Sequence, residues 1–188
     1  MESLDLKLCL DFSELLSYPN DRSKPVAAGF NRQLKESDPE ASAAFVGFID
    51  FLEQQRLPQI EELFTSTFDL QALSDPYVGF QLCGESQART MFLMKLKELY
   101  AKQDFSCGTE LPDHLSVMLR FIGSIDDPQG NTEIIVDALL PALEKIIKGI
   151  ENQDHPYLHL LNALQIYLTN KVETELPETS GQKELSHG

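Results

Sequence analysis

Apolar side chains recur three and four residues apart through most of this chain, and this spacing constrains the fold more than any other feature. Residues with that spacing share one face of an α-helix, whereas a half-buried strand alternates apolar and polar residues. No segment alternates in this way over the length of a strand. In the clearest helical segment, the apolar positions are Ala88, Met91, Phe92, Leu96, Leu99 and Tyr100. The sequence therefore predicts an all-α fold, a single-domain bundle of seven or eight helices with one long internal loop.

Prolines and turn-forming residues set the limits of the predicted helices. In chain order, the predicted helices cover 4–18, 24–35, a segment starting at 39, 59–64, 86–103, 112–122, 132–150 and 156–172. Pro141 lies inside one of them and predicts a kink or a break there. Residues 65–85 have weak periodicity, which predicts the long loop, although part of it can still be helical. The domain is expected to cover residues 1–173, and the polar residues 174–188 are expected to form a disordered tail.

Acidic residues outnumber basic ones by 30 to 15 and give the 188-residue chain a net charge of −15. The negative electrostatic field of such a chain repels phosphate backbones, which argues against nucleic-acid binding. The same field favours a basic partner such as a cationic peptide. A purely solubilising role for the charge is equally consistent with the sequence. No apolar run reaches the roughly 18 residues that span a bilayer, and the N-terminus lacks the basic start of a signal peptide. We therefore expect a cytoplasmic protein that does not insert into a membrane.

The motifs for metal binding are weak. Cys9, Cys83 and Cys107 are far apart in the sequence, which supports neither a disulfide framework nor a zinc site. His155 and His159 lie one helical turn apart, but the sequence places no third ligand near them. We therefore expect no metal site.

Two short segments hold the remaining residues that could carry a function. Asp113 and His114 could serve as an acid–base pair, but neighbouring side chains of a helix diverge, and Asp113 suits the first turn of a helix. Gly84 can take the backbone angles that lead a loop into a helix. Glu85 and Arg89 are four residues apart and can pair on a helix surface. The second segment is thus either a salt bridge at a helix start or one side of a groove that receives a peptide.

Several short motifs follow one another in a characteristic order. They are L-L-S-Y-P from residue 15, E-L-F from 62, F-D from 68, G-E-S-Q-A-R from 84, then Tyr100, and E-L-P-D-H-L from 110. In their order and spacing, the chain resembles the nitrate reductase delta-subunit family. These are the NarJ-type molybdoenzyme assembly chaperones, relatives of the TorD and DmsD chaperones. The resemblance spans roughly Leu15 to Phe121. Close relatives of the nitrate reductase chaperone often carry E-H-V-H-G before the E-S, where this chain has F-Q-L-C-G. The client can therefore be nitrate reductase or a related respiratory molybdoenzyme.

The resemblance implies a helical, non-catalytic protein of the cytoplasm. Such a chaperone would bind the N-terminal leader of the apo catalytic subunit and keep it competent to receive molybdopterin guanine dinucleotide before docking or export. It would hold no cofactor stably itself, and its partners could include cofactor-biosynthesis proteins. We place the expected client-binding face at Tyr77, Phe80, Glu85, Arg89, Asp113 and His114.

Two other hypotheses stay open at this point. A non-catalytic helical adaptor would remain in a stable complex with a mature respiratory enzyme. A small helical hydrolase would use Asp113 and His114 as its acid–base residues, and its turnover would be lost in His114→Ala.

Overall fold

The computed structural model of the protein describes residues 6–69 and 74–175, and most of them are helical. The elements are α1 (Leu8–Leu15), α2 (Ser23–Ser37), α3 (Pro39–Gln54), α4 (Leu57–Phe68), α5 (Val78–Cys83), α6 (Gln87–Lys102), α7 (Leu115–Ser124), α8 (Pro128–Ile134), a π-helical segment (Ile135–Leu139), α9 (Leu140–Gly149) and α10 (Pro156–Glu175). Extended pairing within these ranges amounts to one isolated bridge, between Tyr77 and His114. The predicted all-α fold is confirmed. No helix in the described ranges is long and apolar enough to cross a membrane.

The helix that the sequence did not predict is α5. Its six residues lie inside the predicted loop and form too short a segment for a helical period to be recognised. The loop is also shortened because α4 extends to Phe68, and residues 70–73 lie outside the described part of the chain. Because α8, the π-helical segment and α9 follow one another without a break, they count as one helix. The described ranges therefore hold nine helices instead of the predicted seven or eight. At the C-terminus, α10 ends at Glu175, and residues 176–188 of the predicted tail lie outside the described residues.

The irregularity predicted at Pro141 takes the form of the π-helical segment just before it. Proline has no backbone N–H to donate, and its ring crowds the carbonyl group one turn earlier. Single π turns are a common way for a helix to absorb such a local conflict. The helical run therefore continues through Pro141 instead of ending there.

Aromatic rings fill the core where α3 and α10 pack together. The Tyr157 ring lies 5.2 Å from the Phe48 ring and 5.0 Å from the Phe68 ring, between centroids. Tyr157 and Phe48 are each only 1% exposed. Aromatic pairs at these distances each stabilise a fold by about 0.5–1.5 kcal/mol beyond their burial. The phenylalanine spacing of α3 thus serves the core.

The two histidines at one-turn spacing have separate packing partners. Nδ1 of His155 accepts a hydrogen bond from the backbone N–H of Tyr157 at 3.2 Å, and its Nε2 lies 3.2 Å from Thr67 Oγ1. Burial lowers the pKa of His155. The His159 ring lies against Gly47 so closely that a Cβ atom there would be 2.5 Å from it. Both histidines therefore hold α10 in place, and the described residues contain no group of three or more His, Cys, Asp or Glu that could hold a metal ion.

Candidate functional site

The start of α7 is joined to the segment before α5 by backbone hydrogen bonds. The N–H of Val78 donates to the carbonyl oxygen of Asp113 at 2.8 Å, and the N–H of Leu115 donates to that of Pro76 at 2.8 Å. These bonds form the antiparallel bridge between Tyr77 and His114. Because α5 also packs on α6, the elements that carry the predicted site residues meet at this point.

A buried ion pair lies at the centre of this junction. Nε of Arg89 donates to Oδ2 of Asp113 at 3.0 Å, and the two side chains are 10% and 0% exposed. Arg89 also pairs with Glu85, whose side chain is 74% exposed. Burial is the largest single influence and lowers the pKa of Arg89, but the hydrogen bonds and negative charges of Asp113 and Glu85 together outweigh it, so the pKa of Arg89 is raised. The sequence predicted the local Glu85–Arg89 pair and missed the distant partner Asp113. Glu85, Arg89 and Asp113 are referred to below as the ion-pair network.

Aromatic rings surround the charge of Arg89. Its Cζ atom lies 5.5 Å from the centroid of the Tyr77 ring and 5.7 Å from that of the Phe80 ring. The Tyr77 ring in turn meets the His114 ring edge to face, with centroids 5.3 Å apart. The structure therefore brings all six residues of the expected client-binding face into one connected cluster. Within it, Glu85 is exposed, Tyr77 and Phe80 are half-buried, and Arg89, Asp113 and His114 are buried.

His114 and Asp113 have different partners. Nδ1 of His114 accepts a hydrogen bond from the backbone N–H of Ser116 at 3.2 Å, which places the proton of the neutral ring on Nε2. Burial lowers the pKa of His114, and the nearby Glu110 and Asp113 oppose this effect. The Asp113 carboxylate instead binds Arg89. The two side chains are therefore not arranged as the acid–base pair that the hydrolase hypothesis requires.

Gly79 allows α5, α6 and the segment before α7 to approach each other. A Cβ atom at this position would lie 2.8 Å from Asp113 Oδ2 and 2.8 Å from Phe92 Cδ1. Tyr100 provides a second tie between α6 and the segment before α7, because its hydroxyl donates to the carbonyl oxygen of Pro112 at 2.8 Å. The position of Asp113 is therefore fixed from both ends of α6.

Gly84 ends α5 with φ of 62° and ψ of −167°, a region that side-chain-bearing residues avoid. The predicted special backbone angles are thus confirmed. A Cβ atom at Gly84 would meet nothing within 4 Å, so Gly84→Ala adds backbone strain without a clash. We expect it to lower the free energy of unfolding in urea by about 1–3 kcal/mol.

The control for this prediction is Gly29→Ala. Gly29 lies inside α2 with equally open surroundings. Alanine there should stabilise the protein by about 0.5–1 kcal/mol, because it has the higher helix propensity. Equal stability of the Gly84→Ala variant and the wild type would contradict the strain assigned to Gly84.

An apolar groove of about 540 Å³ lies beside the cluster, between α6, α7 and the run that begins with α8. Phe92 connects the two, because it lines the groove and also faces Gly79. This surface is termed the α6–α7 groove. Its lining consists of Phe92, Lys95, Leu96, Leu99, Met118, Phe121, Asp127, Gly130, Glu133, Ile134, Asp137 and Ala138. Three carboxylates and one ammonium group therefore accompany a mainly apolar floor.

A smaller cavity of about 210 Å³ lies on the side of Tyr77 and His114. It is termed the Tyr77 cavity. Its lining consists of Ser17, Tyr18, Phe64, Phe68, Asp69, Pro76, Tyr77, Glu110, His114 and Ser116. The ends of α1 and α4 thus meet the segments before α5 and α7 around one polar and aromatic space.

The sequence did not predict the groove or the cavity, although α6 carried a signal. Met91 was placed on its buried stripe, but Met91 and Met94 are 55% and 58% exposed. Apolar residues at 91, 92 and 94 cover a wider arc than one buried face needs. Of these three residues, Phe92 lines the groove, whereas Met91 and Met94 are exposed outside it.

Comparisons with known proteins agree with this architecture. A protein of Bacillus subtilis (strain 168) named "Probable nitrate reductase molybdenum cofactor assembly chaperone NarJ" is 24% identical over 158 residues, which cover 83% of this chain and 85% of that protein. A solved structure described as "Crystal Structure Of A Putative Redox Enzyme Maturation Protein From Archaeoglobus Fulgidus" has the same fold. Its TM-score is 0.64 at 20% identity, over 87% of this chain and 93% of that one. The family model described as "Nitrate reductase delta subunit" matches residues 34–163. Since this match covers more than half of the sequence, the chain belongs to the nitrate reductase delta subunit family.

Proposed function

We propose that this protein is a system-specific assembly chaperone for a respiratory molybdoenzyme. It binds the N-terminal segment of the apo catalytic subunit and supports insertion of the molybdenum cofactor before docking or export. Family membership supports this class, and a relative is named as a molybdenum cofactor assembly chaperone for nitrate reductase. The client is nitrate reductase or a related enzyme. The chaperone acts in the cytoplasm without catalysis and holds no cofactor stably, because molybdopterin guanine dinucleotide goes to the client. Cofactor-biosynthesis proteins are its other proposed partners.

The observation that carries the proposal is the α6–α7 groove. Its volume of about 540 Å³ falls within the range of about 300–1,000 Å³ that is usual for binding clefts. Leu99, Ile134 and Phe92 on its floor are only partly buried by the bundle itself. A groove of this kind accepts the apolar face of an amphipathic helix, with side chains spaced three and four residues apart. The groove therefore suits one short segment of a client.

Charge also favours a basic segment. Asp127, Glu133 and Asp137 line the groove with Lys95 as the one cation among the described lining residues. The whole chain has a net charge of −15. Complementary charge mainly raises the rate of encounter and selects the partner, while apolar contacts supply most of the affinity. We therefore propose a client segment that carries Lys or Arg beside its apolar face.

The six residues predicted from the sequence have two roles in this proposal. Glu85, 74% exposed, offers its carboxylate to the basic segment, and the half-buried rings of Tyr77 and Phe80 provide contact area next to it. The buried side chains of Arg89, Asp113 and His114 instead hold α5, α6 and α7 in their relative positions. Arg89 and Asp113 would not touch the client.

A stable adaptor subunit is the alternative function, and the form of the client that binds distinguishes the two. The tagged protein is used to capture the catalytic subunit from cells that cannot make the cofactor and from cells that can. The chaperone proposal expects capture of the apo subunit and little capture of the mature enzyme. An apo subunit that lacks its N-terminal segment is the matched control and should not be captured. Stoichiometric capture of the mature enzyme would support the adaptor instead.

A further inference from the structure

The Tyr77 cavity has the size of a site for one side chain. Its volume of about 210 Å³ is smaller than the roughly 300 Å³ at which clefts for small molecules begin. Phe68, His114 and Ser116 in its lining are buried. Tyr18 is 54% exposed, so the cavity opens to solvent beside this ring. A long side chain could enter there and be enclosed.

The charged groups of the cavity are carboxylates. Asp69 and Glu110 line it and are exposed, and no Lys or Arg is among its described lining residues. Asp69 and Glu110 both affect the Tyr77 hydroxyl. Its pKa is raised by burial and further by the negative charges of Glu110, Asp113 and Asp69. Arg89 lies over the Tyr77 ring but is already paired with Asp113 and Glu85. The negative charge of the cavity is therefore left without an internal cation.

Aromatic rings supply the rest of the lining. The Tyr18 ring meets the Phe64 ring with centroids 5.6 Å apart, and the Phe64 ring meets the Phe68 ring at 5.3 Å. Tyr77 and His114 form a second pair at 5.3 Å. Faces of aromatic rings attract cations, and the combination of rings with carboxylates is a usual arrangement for binding guanidinium or ammonium groups. Burial lowers the pKa of His114, which disfavours the cationic form of the ring.

We propose that the Tyr77 cavity receives one arginine or lysine side chain of the client's N-terminal segment. The stem of that side chain packs between the rings, and its cationic head binds Asp69 and Glu110. This inference rests on the proposed function, which supplies the segment. It adds a specificity site that is separate from the apolar α6–α7 groove.

A small probe tests the cavity independently of any client. N-acetyl-arginine methylamide is titrated into the full chain and followed in amide NMR spectra, with the neutral citrulline analogue as the matched probe. The arginine probe should cause saturable shifts around Tyr18, Tyr77 and His114, and the citrulline probe should cause none there. The double variant Asp69→Asn, Glu110→Gln should lose the shifts. Glu53→Gln, which removes an exposed carboxylate outside the cavity, should keep them. Equal shifts from both probes, or none from either, would overturn the proposal.

A client peptide then tests whether the cavity selects a residue. Each Arg and Lys of the peptide is replaced by Gln in turn. One replacement should weaken binding about tenfold, because it removes a hydrogen bond between charged groups. The same replacement should cost nothing further in the double variant, since its partners are already absent. If the peptide binds but all effects are additive, the cavity proposal fails and the proposed function stands. If the probe binds but no peptide does, the proposed function fails and the cation site stands.

Discussion

Replacing Arg89 with alanine is expected to lower the free energy of unfolding by about 3–5 kcal/mol. Asp113 is 0% exposed and receives a hydrogen bond from Arg89 at 3.0 Å. Without Arg89, a carboxylate stays buried without its partner, which is among the most destabilising single changes. Oδ1 of Asp113 already has no hydrogen-bond partner in the described part of the chain, so no second contact compensates. Equilibrium unfolding in urea measures the loss.

The matched control for Arg89→Ala is Glu85→Ala. Glu85 belongs to the same ion-pair network, but its side chain is 74% exposed. Exposed ion pairs contribute about 0–1 kcal/mol, so this variant should unfold close to the wild type. Asp113→Asn should lower the free energy of unfolding less than Arg89→Ala does, because it removes the buried carboxylate and so leaves no unpaired negative charge in the core. A loss below about 1 kcal/mol in Arg89→Ala would contradict a structural role for the network.

The second large effect concerns the groove. Leu99→Asn should weaken binding of the client peptide about 30-fold, which corresponds to the loss of one central apolar contact. Leu99 lines the α6–α7 groove and is only partly buried by the bundle, so its loss should affect binding more than folding. Calorimetric titration of the variant with the peptide gives the change in affinity, and a thermal melt confirms that the variant is folded.

The control for Leu99→Asn lies on the same helix. Met94 is 58% exposed and does not line the groove. Met94→Asn should therefore change the affinity for the peptide less than threefold. A groove that binds the client predicts a clear difference between the two variants. Equal affinities of both variants would place the client elsewhere on the surface.

Local features of this protein could be predicted from its sequence. The Glu85–Arg89 pair depends on a spacing of four residues within one helix start, and the structure contains it. An aspartate directly before a proline is a usual helix start, and Asp38 caps α3 in this way by accepting a hydrogen bond from the N–H of Ala41 at 3.0 Å. Each depends on neighbours in the chain and on known helix chemistry.

Long-range features could not be predicted in the same way. Asp113 was assigned to a helix start, but its carboxylate is the buried partner of Arg89 from another helix. That pairing needs Gly79, whose missing side chain leaves room for Asp113 and Phe92, and α5, which was too short to be recognised. The groove and the cavity form only when several helices pack. No spacing within one segment encodes them.

Recognition of the client's N-terminal segment is measured by calorimetric titration with N-terminal peptides from the host's molybdoenzyme catalytic subunits. One peptide is expected to bind at micromolar affinity or tighter, while the others give no heat. That result would establish recognition of the N-terminal segment and identify the client together. Silence from every peptide, with amide NMR spectra also unchanged on their addition, would contradict it.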